Sequence, residues 1–450
     1  MGKRIMRRLW ARVVYIALMA PLLAALAGCV SSGAQQHSTY TFAGPRGQWI
    51  KLDGLTGGSS VSIAPSDPRV VYEVFGLHPA YDVSQASLRR TDDDGKTWHT
   101  LTIPLPQGGT LADYGGVITY VDPVNPAIVF LAIAKSYPKS CPTWPADGTP
   151  FADRPSSPAG HLYAGYVACT WMYRSADSGE HWTEIALPRG GAFRIPMGSS
   201  QTRWNTHTLH AQDNRLFALD GVDWYSDTNP DRLIVSDDQG ATWRTIDDMF
   251  IRQRQEVFEY MPTPSGSTLF AITVLQDAPP RTPLNLWRSD DGGASWHMIR
   301  TLPEFERNDL LLAPIGSSGQ YVLYLDCPIT PQDAQNTPPI AMASTDGGAT
   351  WKQAPQAGLP PQDDPGTAVG IAGVLSDGSL LVQSPGFTPQ GPTNVSYYRW
   401  KPGDAAWTQF ASPAVATNLL LVSPAGPDGP EALWSIAAGP NLSVSRYILP

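Results

Sequence analysis

Charge is scarce in this chain. Only 16% of its 450 residues are Asp, Glu, Lys or Arg, against about a quarter in an average soluble domain. Cysteine is scarcer still. The four cysteines, at 29, 141, 169 and 327, form no C-x-x-C and no Cys/His spacing of a zinc site, which excludes a metal-held or disulfide-dense fold. Basic residues are outnumbered, 31 against 40 acids, and this disfavours nucleic acid and anionic surfaces as partners. Beyond residue 27 no apolar run is long enough to cross a membrane. No P-loop, dinucleotide glycine motif, G-x-S-x-G or H-E-x-x-H occurs, so nucleotide, serine-hydrolase and zinc-protease chemistry have no sequence basis. No metal and no cofactor is expected.

What the chain has is turns. Its 41 Gly and 43 Pro suit an all-β protein of many short strands. The pattern S/T-x-D-x-G-x-x-W occurs five times, running from Thr91, Ser175, Ser236, Ser289 and Ser344 to Trp98, Trp182, Trp243, Trp296 and Trp351. One chance match at a given position has odds of roughly one in 100,000. Its carboxylates are Asp93, Asp177, Asp238, Asp291 and Asp346. Asp and Ser/Thr bond nearby backbone N–H groups, Gly supplies φ > 0, and Trp starts the next strand with a buried ring. Each motif therefore reads as a hairpin turn whose residues serve structure.

Trp49 looks like the strand that follows such a turn, and Trp400 to Trp407 like a degraded copy. The landmark tryptophans 49, 98, 182, 243, 296, 351 and 407 are then spaced by 49, 84, 61, 53, 55 and 56 residues. A period near 50 means a radial or solenoid array of one unit. Within each period, strands recur ahead of the motif: Val61–Ile63 and Val70–Val74, then Val117–Val121 and Ile128–Leu131, then Thr208–His210 and Leu216–Ala218, then Leu310–Leu312 and Tyr321–Leu323. This is the pattern of a four-stranded propeller blade. The last period supplies three strands, and the orphan at Trp49 is the natural fourth. The expected fold is a β-propeller over residues 47–450, with seven blades closed by strand exchange between the chain ends. Six blades is the alternative. An insertion at about 135–168 lengthens the second period. Cys141 and Cys169 bracket it and can pair outside a reducing cytosol, leaving Cys327 single.

The five motifs resemble the Asp-box (BNR) repeat of sialidase-like β-propellers. That resemblance implies the fold, and it implies boxes on the face away from any active site. Phe193-Arg194-Ile195-Pro196 matches the F-R-I-P of sialidases, whose arginine grips the substrate carboxylate with a bidentate fork. An acid/base Asp then follows in that family, and here Asp220, Asp223 and Asp227 precede the motif at Ser236. Two features depart from the family. F-R-I-P lies after two boxes, and it lies about ten residues ahead of the expected inner strand at Thr208–His210.

Residues 1–28 read as a secretory signal. Lys3, Arg4, Arg7, Arg8 and Arg12 precede an apolar run from Val13 to Ala27, and Leu26-Ala27-Gly28-Cys29 closes it. L-A-G-C resembles the bacterial lipobox, which implies cleavage before Cys29 and lipid on that residue. Residues 29–46 are the expected tether, the envelope is the expected location, and the membrane is met through the lipid. Removing the five basic residues leaves 26 against 40 acids, a net of −14.

The strand order sorts connections onto two faces. The motifs share one with the turns between first and second strands. The other carries long loops, where binding residues collect on a rigid scaffold. Candidates there are Arg194, Asp220, Asp223, Glu256 and Tyr260 for catalysis, and Arg203, Trp224, Tyr225, Arg252 and Arg254 for ligand. Mixed acids, arginines and aromatics suit a sugar or carboxylate. Glu256 and Glu259 lie just before or on the inner strand of the fourth blade, beside Tyr260. Glu259 and Tyr260, adjacent on a regular strand, face opposite ways, whereas a Glu256 on the preceding loop escapes that constraint. Two functions follow. One is a surface lipoprotein binding a glycan or a protein. The other is an exo-glycosidase of the exo-α-sialidase type, which needs an arginine cluster, an acid/base carboxyl and a glutamate-activated tyrosine.

Overall fold

The computed structural model describes residues 45–449 outside the stretches 53–59, 65–66, 68, 76–86, 104, 106–114, 123–124, 139–165, 189–191, 194–214, 222–231, 264–266, 276–281, 303–309, 316–319, 327–340, 361–368, 385–394, 412–418, 424–431 and 438–442. Its strands form seven four-stranded antiparallel sheets.

β1 (Trp49–Leu52) belongs to the last sheet. The first blade is β2 (Ser60–Ile63), β3 (Val71–Phe75), β4 (Ser87–Thr91) and β5 (His99–Leu101). The second is β6 (Gly115–Val121), β7 (Val129–Pro138), β8 (Tyr166–Ser175) and β9 (Thr183–Ile185). The third is β10 (Ala192–Phe193), β11 (Leu216–Gly221), β12 (Arg232–Ser236) and β13 (Arg244–Thr245), followed by a short helix, α1 (Asp248–Arg252). The fourth is β14 (Gln255–Pro262), β15 (Leu269–Leu275), β16 (Asn285–Ser289) and β17 (His297–Thr301). The fifth is β18 (Leu310–Ile315), β19 (Gln320–Asp326), β20 (Ala341–Ser344) and β21 (Lys352–Gln353). The sixth is β22 (Gly370–Val374), β23 (Leu380–Ser384), β24 (Ser396–Trp400) and β25 (Thr408–Ala411). The seventh is β26 (Leu419–Ser423), β27 (Ala432–Ala437) and β28 (Ser443–Ile448), completed by β1. β1 pairs with β28 from Trp49↔Tyr447 to Leu52↔Val444. The count is therefore seven, and the six-bladed alternative falls.

Two expectations about strands need correction. The inner strand of the third blade is Ala192–Phe193, paired with Gly221 and Asp220, while Thr208–His210 lies outside the described residues. The second-blade insertion begins later than residue 135 and ends before 168, because β7 and β8 continue pairing to Pro138↔Tyr166.

Each seam between neighbouring blades holds its own apolar cluster. Leu88, Leu131 and Trp171 join blades one and two, Phe130, Met172 and Leu216 blades two and three, and Leu219, Phe250 and Trp287 blades three and four. Ile272 and Leu323 join blades four and five, and Tyr324 and Trp400 blades five and six. Tyr397 and Leu433 join six and seven, and Val71 and Trp434 close the ring. Alternation along each strand sends one set of side chains to each neighbouring blade, which is why middle strands such as β12, β15 and β23 carry buried residues on both faces.

The motifs are hairpin turns, as their residues dictate. In all five the Ser/Thr hydroxyl donates to its Asp at 2.8 Å. The same oxygen accepts the N–H of the motif glycine at 2.7–2.9 Å. The Asp accepts the backbone N–H of the seventh residue at 2.8–2.9 Å. It also meets that residue's side chain: Thr97, His181, Thr242, Ser295 or Thr350, at 2.5–2.7 Å. The strand resumes one residue after each Trp rather than at it.

The turns also dock onto the preceding blade. A Cβ on Gly293, whose φ is +93°, would lie 2.6 Å from Ile246, and one on Gly240 2.3 Å from Phe130. Arginines one residue before the motif position reach forward in the same way. Arg174 Nε donates to Gln239 O at 2.8 Å, Arg288 to Gly347 O at 3.2 Å, and buried Arg446 to Asp94 Oδ1 at 2.6 Å. Tyr72 and Tyr324 add hydroxyl bonds to Pro126 O at 2.9 Å and Gly378 O at 2.6 Å on their next blades.

Candidate functional site

The candidate residues that lie within the described structure belong to blades three and four: Asp220 on β11, Arg252 and Arg254 between β13 and β14, and Glu256 and Tyr260 on β14. β10 is only two residues long, and it places Phe193 of F-R-I-P directly opposite Asp220. Phe193 is thus the last residue of the inner strand of its blade, so F-R-I-P follows that strand rather than beginning it. Asp220 pairs on its other side with Arg232. Arg194 and Arg203 follow the inner strand instead of preceding it, in the link between β10 and β11. That link starts at Arg194 and lies, like Asp223, Trp224, Tyr225 and Asp227, outside the described residues. Cys29 and Cys141 lie outside them too. The backbone of Cys169 pairs with Lys135 in the β7–β8 hairpin.

Arg232 carries an anchor that sequence reasoning missed. Its Nε donates to Asp247 Oδ1 at 2.8 Å and its Nη2 to Asp248 Oδ1 at 2.5 Å. Asp247 Oδ2 accepts the N–H of Leu233 at 2.8 Å. Asp247 is fully buried. Burial pushes its carboxyl above the ordinary value, while Arg232 opposes that shift. The visible signal was the Asp247-Asp248 pair directly after the third motif's strand. This anchor sets α1 in place of a longer β13. Phe250 of α1 then packs on Trp287 and Trp296, with ring centroids 5.3 and 5.1 Å away.

α1 ends at exposed Arg252, and Arg254 follows with φ +55°. The chain then enters β14 with Gln255, whose Oε1 accepts from the hydroxyl of Thr273. That hydroxyl oxygen accepts from Trp287 Nε1 at 2.8 Å. Two exposed guanidinium side chains thus stand beside a braced strand entry, an arrangement able to donate to carboxylate or sugar oxygens.

Glu256 is within β14, opposite Val274, which selects the strand of the two placements left open. A bulge at Phe258 keeps Glu259 opposite Ile272, so Glu256 and Glu259 share one face of the strand and Tyr260 takes the other. Tyr260 is only 4% exposed, and its hydroxyl donates to Phe217 O at 2.8 Å. It is committed to the seam between blades three and four, which corrects its assignment as a candidate nucleophile. Among the described residues no group of three or more His, Cys, Asp and Glu side chains gathers as for a metal ion. No helix among them is long and apolar enough to cross a membrane.

The strands and turns define the class: a seven-bladed, four-stranded β-propeller closed by its N-terminal strand. No protein-family model matches the chain. In sequence it is similar to a xyloglucanase from Paenibacillus sp, 23% identical over 305 residues, 56% of this chain and 28% of that protein. Among solved structures it is similar to the GH74 xyloglucanase from Xanthomonas campestris, with 16% identity, TM-score 0.47, and 89% of this chain and 55% of that one covered. It is also similar to YCF48 from Cyanidioschyzon merolae, with 12% identity, TM-score 0.43, and 89% and 98% covered. The chain thus spans little more than a quarter of the curated relative it matches.

Proposed function

We propose that this chain is the glycan-binding propeller of a bacterial envelope lipoprotein, held to the membrane through lipid on Cys29 and presenting its loop face to a polysaccharide. The choice of binding over sialidase-type cleavage rests on one observation. Tyr260, the tyrosine nominated beside Glu256 and Glu259, spends its hydroxyl on Phe217 O inside the core. A retaining sialidase needs that hydroxyl at the substrate, and an incomplete constellation loses most of its rate because its members act together. The polysaccharide class is suggested by the xyloglucanase relative. The Asp-box character of the five motifs and the F-R-I-P match remain part of this reading as marks of a sialidase-like scaffold. Cys141 and Cys169 are proposed as a disulfide at the second-blade insertion, which mass mapping of the unreduced protein tests.

The deciding experiment is affinity electrophoresis of the purified domain through gels containing xyloglucan or other neutral polysaccharides, alongside an assay with a 4-methylumbelliferyl sialoside. Retardation by a polysaccharide without fluorophore release is expected. Rapid release, abolished by Arg194→Ala with the fold intact, would overturn binding in favour of an exo-α-sialidase. The xyloglucanase relative favours a second reading, hydrolysis of a neutral glucan, and the appearance of new reducing ends in the same incubations would select it. The lipid is tested separately: Cys29→Ala should release the protein from membranes.

A further inference from the structure

The chain reaches its first strand from one side of the ring only. β1 begins opposite Tyr447 and ends opposite Val444. Tyr447 is at the motif end of β28, because Arg446 beside it reaches Asp94 in the first motif. Just ahead of β1, the Gly47 N–H donates to Ile448 O at 2.8 Å, and Arg46 forms a parallel bridge with Ile448. The polypeptide is therefore fastened at residue 46, on the motif face and on the outermost strand of its blade. The described chain thus enters the propeller at the motif face.

Resting on the reading that Cys29 carries the lipid, we infer that the motif face is the membrane-proximal face of the propeller and the loop face points outward. A polar chain the length of residues 30–45 has a root-mean-square reach of about 22 Å and a limit of about 55 Å. Turning the loop face to the bilayer would require that chain to run back along a blade, about 17–20 Å for an ordinary strand, which uses most of its typical reach. Electrostatics does not favour the reversal. The motif turns carry acids at Asp93, Asp177, Asp291 and Asp346, but the chain after the signal is net −14 as a whole, so exposing the other face to anionic lipid brings no general relief. Repulsion acts only within a Debye length of about 8 Å. It holds the motif face off the headgroups without turning the molecule over.

The inference also assigns a task to each face. On the motif face the Asp carboxylates are occupied by their own turns. The face bearing Arg252, Arg254 and the entry to β14 is the one left open to large polymers outside the cell.

The test uses the lipidated full chain in vesicles, with a fluorescent amino acid placed at exposed Lys96 in the first motif or at Leu275 (50% exposed) at the loop end of β15. Energy transfer to an acceptor lipid should be several-fold greater from position 96 than from 275 in phosphatidylcholine vesicles. With phosphatidylglycerol added, transfer from position 96 should rise as salt is raised. Equal transfer from both positions, or more from 275, in protein that floats with the vesicles would overturn the orientation while leaving the anchor standing. Failure of the unmodified Cys29 protein to float would overturn both the anchor and the orientation built on it.

Discussion

Each motif carboxylate is held by groups of its own turn, and those bonds set its acidity. Asp291 is lowered to about 2 by the hydroxyl and then the N–H of Ser295, with Ser289 adding to both. Asp177 is lowered to about 2 chiefly by the N–H of His181, Asp93 by that of Thr97, and Asp346 by the hydroxyl of Thr350. A folded pKa below the unfolded value of about 3.9 means stabilisation that is complete above that value and lost as pH falls through the folded pKa. Stability should therefore hold down to about pH 4 and decline between about pH 4 and pH 2. Urea midpoints followed by tryptophan fluorescence across that range check this, and a midpoint that does not move would contradict it. Tyr260 gives a second expectation. Tyr260→Phe removes a buried hydroxyl from Phe217 O, so it should lower stability by about 1–3 kcal/mol without changing affinity for polysaccharide. Calorimetry and gel affinity on the same preparation separate the two effects.

At the level of turns and strands, the motif glycine answers two demands together. Gly293 needs φ +93° and also needs no Cβ, because Ile246 of the previous blade occupies that space. Gly403, in the altered turn of blade six, has φ +111° and nothing within 4 Å of a would-be Cβ. Gly293→Ala should thus cost about 2–5 kcal/mol, combining left-handed strain with overpacking, while Gly403→Ala should cost only the strain, about 1–2 kcal/mol. Thermal melts of the two variants side by side check the ordering. The turns were legible in the sequence because every residue type in them has a hydrogen-bonding or conformational duty that few others perform. β10 was not, since two residues cannot show an alternation, and Leu209 in a more strand-like run drew the assignment instead. α1 was hidden for a related reason. Its stability comes from Arg232 and Asp247, fifteen residues apart in sequence, and from Phe250 against a different blade, none of which is a local signal.

For the whole molecule, ring closure joins residues 352 positions apart. Arg446 is 1% exposed, bonded to Asp94, and lies over Trp434 at 5.1 Å. Arg446→Met keeps the bulk but strands a partly buried carboxylate, so a loss of about 3–5 kcal/mol is expected, and Asp94→Asn in the same chain should recover part of it. Differential scanning calorimetry of the single and double variants measures this coupling. That β1 completes the seventh blade was readable from Trp49 standing without a turn before it and from a last period one strand short. The candidate site was less readable. Its residues come from Phe193, Asp220, Arg232, Asp247 and the start of β14, and only the register between strands brings them together.

The forward reach of each blade has a consequence for assembly. Apart from Tyr260, which reaches back to Phe217 O, the arginine and tyrosine contacts named at the seams run from one blade to the following one, so the contacts are head-to-tail, and a head-to-tail series has no internal signal to stop at seven. What stops it is β1, a strand of four residues borrowed from the far terminus. A second copy carries an identical strand, and nothing in the pairing of Trp49–Leu52 with β28 distinguishes its own from a neighbour's. Protein concentration during folding thus becomes a variable of structure: dilute chains close on themselves, whereas crowded ones can close on each other and yield exchanged dimers with the same fourteen blades.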